Sequence, residues 1–177
     1  NLYEHAPAAC HDYNPRAADV AARIKDAITA HLPDVAVEHI GSTAVAGCAG
    51  KGVVDLMILY EGARLEEVKA LLDALGFQRQ TTRDPFPEER PMRAGAIEHE
   101  GKTFRIHAHV ISADSEEAAG LRKFRDSLRS DPELLADYVA RKRAIIESGV
   151  VDPVDYSEMK DGFIKEAMGS KSVAGQS

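Results

Sequence analysis

The sequence predicts an α/β fold in the α+β arrangement, a mixed sheet flanked by helices and followed by a helical C-terminal lobe. Strand-like and helix-like apolar patterns alternate up to about residue 113, and helical spacing alone continues beyond it. A length of 177 residues with 44% apolar side chains suits one domain with a real core. We therefore expect a single domain over 1–177, with an α/β part over about 12–113, a helical lobe over about 114–168 and a frayed tail over 169–177.

The first elements follow from the spacing of apolar residues. Between Pro15 and Leu32 apolar residues recur every four positions, which predicts an amphipathic helix that Pro33 ends. VAVEHI at 35–40 then alternates as a short strand does. GVVDLMILY at 52–60 is a denser apolar run of β-branched type, which indicates a central strand covered on both faces.

The middle of the chain predicts a helix, a loop and a hairpin. RLEEVKALLDALG at 64–76 has helical spacing and ends at a glycine, a common residue just past a helix C-terminus. Residues 81–95 hold three prolines and six charges without periodicity, which predicts a mobile surface loop. AIEHEGKTFRIHAHVI at 96–111 predicts a hairpin that turns near Gly101 and Lys102.

The last third of the chain predicts three helices. Ser115 or Asp114 can cap the first of them. Asp131 and Pro132 supply a cap and a first helical residue for the second. The third helix follows Asp152.

The charge balance limits the classes of partner. Lys and Arg number 22 against 29 Asp and Glu, a net charge of −7, so we expect no strong nucleic-acid binding. No apolar run reaches the length of a membrane span, and we expect no membrane partner. Cys10 and Cys48 form no paired framework, which favours a reducing compartment, the cytoplasm. The oligomeric state stays open.

A glycine-rich turn precedes the central strand. A phosphate loop of the G-x-x-x-x-G-K-[ST] type is excluded, because Val45 stands at its first glycine and Gly52 at its hydroxyl residue. The Gly41-Ser42 pair with Asp55 in the strand instead resembles the nucleotidyltransferase superfamily. There a Gly-Ser turn grips nucleotide phosphates, and strand carboxylates in Asp-x-Asp or Asp-x-Glu hold divalent ions.

Four separated motifs make this resemblance more specific. EHIGSTAVAGCAGKGVVDLMI, RIHAHVI, LRKFRDSLRSDPELLADYVARKR and DYSEMKDGFIKEA occur in this order between about Asp12 and Met168. They resemble the GrpB family, a nucleotidyltransferase-like group. The resemblance implies a nucleotidyltransferase-like fold and a nucleotide or phosphorylated small molecule as ligand. Met57 stands where the superfamily has its second carboxylate, so the usual two-metal arrangement is in doubt.

Strand alternation suggests a metal site of a different composition. Arg105, His107 and His109 share one face of the hairpin's second arm, and Asp55 points to one face of the central strand. If these faces coincide, the Asp and the two histidines converge as catalytic groups or metal ligands, with His39 nearby. Nitrogen and oxygen ligands favour zinc, manganese or iron over magnesium. The candidate cofactor is a divalent ion of magnesium, manganese or zinc. Alternatively, the histidines are polar strand residues satisfied by helix side chains.

Basic residues are candidates for holding phosphate. Arg125 and Arg129 stand one helical turn apart and can clamp phosphate oxygens. Alternatively, they belong to a solvated helix face with Asp126 and Asp137 as partners. The candidate ligand-binding residues are His39, Gly41, Ser42, Thr43, Lys51, Arg105, Arg125, Arg129 and, from the family's Y-x-x-K motif, Lys160.

Three classes of function remain open. The first is a transferase that moves a nucleotidyl or phosphoryl group. The second, implied by the family resemblance, is a catalytically inactive accessory module of the kind found fused to dephospho-CoA kinase. The third is a metal-dependent hydrolase built on Asp55, His107 and His109.

Overall fold

The chain forms five helices and five strands within the residues described by a computed structural model, 3–4, 7–150 and 152–174. The elements are α1 (Arg16–Thr29), β1 (Ala36–Ile40), a 3-10 turn (Ser42–Ala44), β2 (Val54–Tyr60), α2 (Leu65–Ala74), β3 (Gln78–Arg79), β4 (Met92–His99), β5 (Lys102–Ser112), α3 (Glu116–Ser130), α4 (Pro132–Glu147) and α5 (Pro153–Ala174). None of these helices is long and apolar enough to cross a membrane over its described residues.

The five strands form one mixed sheet in the order β1-β2-β5-β4-β3. The pair β2–β5 is parallel, whereas β1–β2, β4–β5 and β3–β4 are antiparallel. In the parallel pair Asp55 lies opposite His107, and Met57 lies opposite His109. This register brings the two sequence motifs that carry the candidate metal ligands to neighbouring strands at the centre of the sheet.

Helices cover both faces of this sheet. On one face, β2 and β5 pack with α1 and α2 in the main apolar core, where Ile28, Leu56, Leu72 and Ile106 are almost completely buried. On the other face, α3 packs over a smaller cluster that includes Met57. The predicted class, a mixed sheet flanked by helices with a helical C-terminal lobe, is confirmed.

Two of the predicted helix starts are present with their caps. The Ser115 side chain accepts from the backbone N–H of Ala118 at the start of α3. Asp131 accepts in the same way from Leu134 at the start of α4. These bonds satisfy N–H groups that a helix cannot pair internally, and they fix where the lobe begins.

The loop before β4 is shorter than the sequence predicts. Met92, Arg93 and Ala94 already belong to a buried strand, although 81–95 reads as one surface loop. The sequence does not indicate this strand, because an arginine suggests an exposed loop residue unless the carboxylates that pair with it in the fold are known. At the other end α5 extends to Ala174, into the segment expected to be a tail, and 175–177 lie outside the described residues.

Candidate functional site

A cavity of about 500 Å3 lies between the sheet and the helical lobe, on the face that α3 covers. Its floor is formed by side chains of β2 and β5, and its walls by the Gly-Ser turn, by α3, α4 and α5 and by the loop before β4. Asp55, His107 and His109 all line this cavity. The face of β2 that carries Asp55 and the face of β5 that carries His107 and His109 therefore lie on the same side of the sheet.

Asp55 is the centre of a compact cluster on the cavity floor. Its Oδ1 lies 3.5 Å from Nδ1 of His107 and 3.4 Å from Nε2 of His109. One ligand atom from each of the three residues lies within 4.8 Å of the others, a spacing that a single metal ion could bridge. In the described part of the chain this is the one such group of three acidic, histidine or cysteine residues.

The cluster keeps Asp55 ionised. Burial alone would raise the pKa of its carboxyl, but the hydrogen bonds of His107 and His109 outweigh burial and hold the pKa far below the usual range. Burial lowers the pKa of His109, which favours the neutral imidazole. A divalent cation binds to an ionised carboxylate and to neutral imidazole rings, so these protonation states suit metal binding.

The Gly-Ser turn closes tightly against this cluster. Gly41 has φ +74°, and a Cβ at this position would lie 2.7 Å from Oδ2 of Asp55. A Cβ on Gly50 would collide with Oγ of Ser42. The two glycines are therefore required by close approach, and they bring the turn backbone beside the carboxylate.

Three cations gather at one end of the cavity. Arg105 donates through Nη2 to the backbone oxygen of Lys51 at 3.3 Å. The ammonium groups of Lys51 and Lys160 lie 4.7 and 5.9 Å from the ring centroid of Tyr156. Burial, followed by the neighbouring charge of Lys160, lowers the pKa of Lys51 to about 8. This cationic end is defined by Lys51, Arg105 and Lys160.

Three of the candidate ligand-binding residues do not line this cavity. His39 lies on the opposite face of β1 and hydrogen-bonds Oγ1 of Thr43 at 2.8 Å, while Thr43 donates to the oxygen of Val53. Burial lowers the pKa of His39 to about 4. Arg129 donates twice to the oxygen of Ala44, which fastens α3 to the turn. These residues support the turn from behind.

Arg125 has an intermediate position. It lines the cavity, but its guanidinium already bonds Glu38 at 3.0 Å, Asp126 at 2.9 Å and the oxygen of His39 at 3.2 Å. Arg125 and Arg129 thus do not form a joint phosphate clamp in this structure. The rotation of α3 about its axis, which sequence spacing alone does not determine, directs the two arginines to different partners.

Other cavity residues had no clear signal in the sequence. The Tyr3 hydroxyl lies 2.6 Å from Nε2 of His107 and closes one side of the cluster. Arg90, in the loop before β4, donates to Nδ1 of His109 at 3.0 Å and pairs with Glu117 at 2.6 Å. Lys142 is 2% exposed and contacts Sγ of Cys48 at 3.3 Å. In the sequence Lys142 is one of three consecutive basic residues, 141–143, and nothing distinguishes it from its neighbours.

The donor set decides which metal arrangement fits. A two-ion magnesium site needs a second carboxylate, but Met57 is fully buried in the apolar cluster under α3. One carboxylate and two imidazoles fit a single zinc or manganese ion better. The residues present therefore fit one divalent ion at Asp55, His107 and His109.

Comparisons with known proteins agree with the motifs. The family model described as GrpB protein matches residues 7–170. A UPF0157 protein from Streptomyces coelicolor is 35% identical over 157 residues, covering 86% of this chain and 78% of that protein. A dephospho-CoA kinase from Mycolicibacterium paratuberculosis is 28% identical over 155 residues, which cover 74% of this chain but 37% of the kinase.

A solved structure has the same fold. The crystal structure of the conserved protein GrpB from Enterococcus faecalis superposes with a TM-score of 0.67 at 25% identity, covering 89% of this chain and 93% of that one. The family indicated by the four motifs is confirmed by the family model, the relatives and this structure together. The chain is a member of the GrpB family.

Proposed function

We propose that the cavity binds a nucleotide or another phosphorylated small molecule through its phosphate groups. The observation that carries this proposal is the cationic end, Lys51, Arg105 and Lys160. Among the described residues none of the three has a carboxylate within ion-pair distance, although Lys51 and Arg105 are partly buried. Buried or half-buried cations are normally paired, so an anionic ligand is the expected partner.

The contrast with the other basic residues supports this assignment. Arg122 and Arg125 both pair with Glu38, at 2.6 and 3.0 Å. Arg93, which is 1% exposed, pairs with Asp73 and Glu88. The fold therefore neutralises these cations internally and leaves the cationic end for a ligand.

The Gly-Ser turn and Asp55 complete the binding site. The backbone at Gly41 and Ser42 lies against the carboxylate, so a phosphate beside Lys51 would adjoin both the turn and the Asp55 cluster. A divalent ion held by Asp55, His107 and His109 would supply positive charge that offsets the ligand's phosphate charge. Residues of the loop before β4 line another side of the cavity.

Binding is the function that this geometry supports best. A nucleotidyl transferase of the two-ion type is disfavoured because Met57 cannot serve as a ligand. The hydrolase alternative depends on a tightly held metal at Asp55, His107 and His109, so metal analysis of protein purified without chelator would exclude it if the site is empty. The unpaired thiols Cys10 and Cys48 suit a protein that works in the reducing cytoplasm.

Thermal unfolding tests the proposal. Nucleotides, coenzyme A precursors and sugar phosphates are added with and without manganese or zinc to wild type and to Lys51→Met, Lys160→Met and Asp55→Ala. A ligand at one hundred times Kd should add about 2.7 kcal/mol to the free energy of unfolding, a shift of a few degrees. We expect both lysine variants to lose the shift and Asp55→Ala to lose its metal dependence.

The matched control is Lys123→Met, which removes an exposed lysine of α3 that does not line the cavity. It should keep the full ligand shift. If no compound stabilises the wild type, or if Lys51→Met and Lys123→Met respond alike, the phosphate site is refuted and the accessory-module alternative is favoured.

A further inference from the structure

A large aromatic side chain stands exposed at the cavity, in the loop before β4. Phe86 lines the cavity and is 41% exposed, whereas most large apolar side chains of the protein are buried. Among the described residues Leu75 and Met159 are exposed to a similar extent, but neither lines the cavity. A ring at the mouth of a binding cavity is a natural surface for a planar ligand group.

The Phe86 ring is held in a fixed orientation. The Arg90 guanidinium lies over it, with Cζ 4.3 Å from the ring centroid. The His109 ring packs edge to face with it, with centroids 5.5 Å apart and an interplanar angle of 89°. The backbone N–H of Phe86 donates to Oε1 of Gln80 at 2.8 Å. A ring held by these three contacts needs little further ordering when a ligand stacks on it.

An unsatisfied oxygen in the same loop gives independent evidence. Thr82 lines the cavity, and its Oγ1 is the one buried side-chain nitrogen or oxygen without a hydrogen-bond partner among the residues that the structure describes. A buried hydroxyl left unpaired is unfavourable, so a missing partner needs an explanation. The oxygen is closed to water in the free protein, so a polar atom of a ligand in the cavity would pair with it once the side chain rotates toward the cavity.

The position of Phe86 relative to the cationic end fits a nucleotide. Arg105 and His109 lie on the same face of β5, four residues apart, which is about 13 Å along a strand. Arg105 belongs to the cationic end, and His109 touches Phe86. The cavity thus has phosphate-binding charge at one end, an aromatic ring at the other and the Asp55 cluster between them.

We infer that Phe86 and Thr82 form a subsite for a planar heterocycle, so that the ligand of this cavity is a nucleotide and not a sugar phosphate or a polyphosphate. The heterocycle stacks on Phe86, and one of its edge atoms hydrogen-bonds Oγ1 of Thr82. This inference rests on the proposed phosphate site and adds the class of group attached to the phosphate.

Titration calorimetry with two kinds of probe tests the subsite separately from the phosphate site. The probes are the four common nucleoside triphosphates, which carry a base, and inorganic tripolyphosphate, which carries none. Phe86→Ala should weaken the best nucleotide about tenfold and leave tripolyphosphate unchanged. Phe86→Tyr keeps a ring and should restore nucleotide affinity, and Thr82→Val should weaken the nucleotide without affecting tripolyphosphate.

The outcomes separate the two ideas. If tripolyphosphate and the nucleotides bind the wild type equally well, or if Phe86→Ala weakens both probes alike, the heterocycle subsite is overturned and the phosphate site stands. If neither probe binds the wild type, the phosphate site and the subsite both fail. Phe86 is exposed, so the free Phe86→Ala variant should unfold at the temperature of the wild type. Thr82→Val removes an unpaired buried hydroxyl and preserves shape, so this variant should unfold no lower than the wild type.

Discussion

Nη1 of Arg90 lies 3.0 Å from Nδ1 of His109. A guanidinium can only donate, so Nδ1 must accept, and the proton of the neutral imidazole sits on Nε2, the nitrogen that faces Asp55. A metal ion at Nε2 needs that proton to move to Nδ1. The hydrogen bond from Arg90 to His109 must then break, so this contact from the loop before β4 opposes metal binding.

Replacement of Arg90 should therefore strengthen metal binding. Arg90→Met removes the donor, and we expect zinc or manganese affinity to rise by about tenfold, measured by titration calorimetry. Arg83→Met is the control, because Arg83 belongs to the same loop but pairs with Asp155 of α5. Equal or weaker metal binding in Arg90→Met would show that the Arg90–His109 bond does not oppose the ion.

A carboxylate at Met57 should destabilise the fold without building a second metal site. Met57 is fully buried between the sheet and α3, in a cluster with Ile40 and Ile111. Met57→Asp places an ionisable group where water cannot reach it, and we expect a loss of about 3 kcal/mol in the free energy of unfolding by urea. Met57→Leu, which keeps the volume, should lose less than about 1.5 kcal/mol. A stable Met57→Asp protein that binds two magnesium ions would contradict this account.

Glu88 should hold the loop before β4 in place. It bonds the buried Arg93 through both carboxylate oxygens at 3.0 Å and pairs with Lys69 at 3.1 Å. Glu88→Gln should lower the free energy of unfolding by about 1 kcal/mol and speed proteolytic cleavage within 80–91. Glu89→Gln changes an exposed neighbour and should do neither. Unchanged proteolysis in Glu88→Gln would show that other contacts anchor the loop.

The same carboxylate gives a pH test. The hydrogen bond to Arg93 lowers the pKa of Glu88 from its ordinary 4.5 to about 2. A carboxyl whose pKa is lower in the folded state adds stability above about pH 4.5 and loses that contribution as the pH falls toward 2. Stability curves between pH 5 and pH 2 should therefore be less steep for Glu88→Gln than for wild type. Parallel curves would contradict the assignment.

The fold was largely accessible from the sequence because its signals are local. Apolar periodicity located α1, β2 and α2, and the caps at Ser115 and Asp131 located the lobe. β4 was missed at its first residues because the burial of Arg93 depends on Glu88 and Asp73, whose proximity no local pattern shows.

The site was accessible only in part. Strand alternation placed Asp55, His107 and His109 on single faces, but their meeting depends on the parallel pairing of β2 with β5, a long-range event. The role expected for Arg129 depended on which way α3 is rotated, and in the structure this residue bonds Ala44. Helix spacing says which residues share a face, and it does not say what that face meets.

Lys51 should make phosphate binding depend on pH in the alkaline range. Its pKa of about 8 lies below the ordinary 10.5, so in the free protein the ammonium is present below pH 8 and is lost above it. The single terminal phosphate of ATP is fully charged above about pH 7, since its second pKa is near 6. Affinity for ATP should thus be constant near pH 7 and fall about fivefold between pH 8 and pH 9 as the protonated fraction of Lys51 decreases.

The conservative variant Lys51→Arg distinguishes this cause from a general alkaline effect. A guanidinium stays protonated throughout this range, because its pKa exceeds 12. Lys51→Arg should therefore bind ATP with no loss between pH 8 and pH 9, whereas Lys51→Met should bind weakly at every pH. If Lys51→Arg shows the same decrease as wild type, a group other than Lys51 governs the pH dependence, and this assignment is wrong.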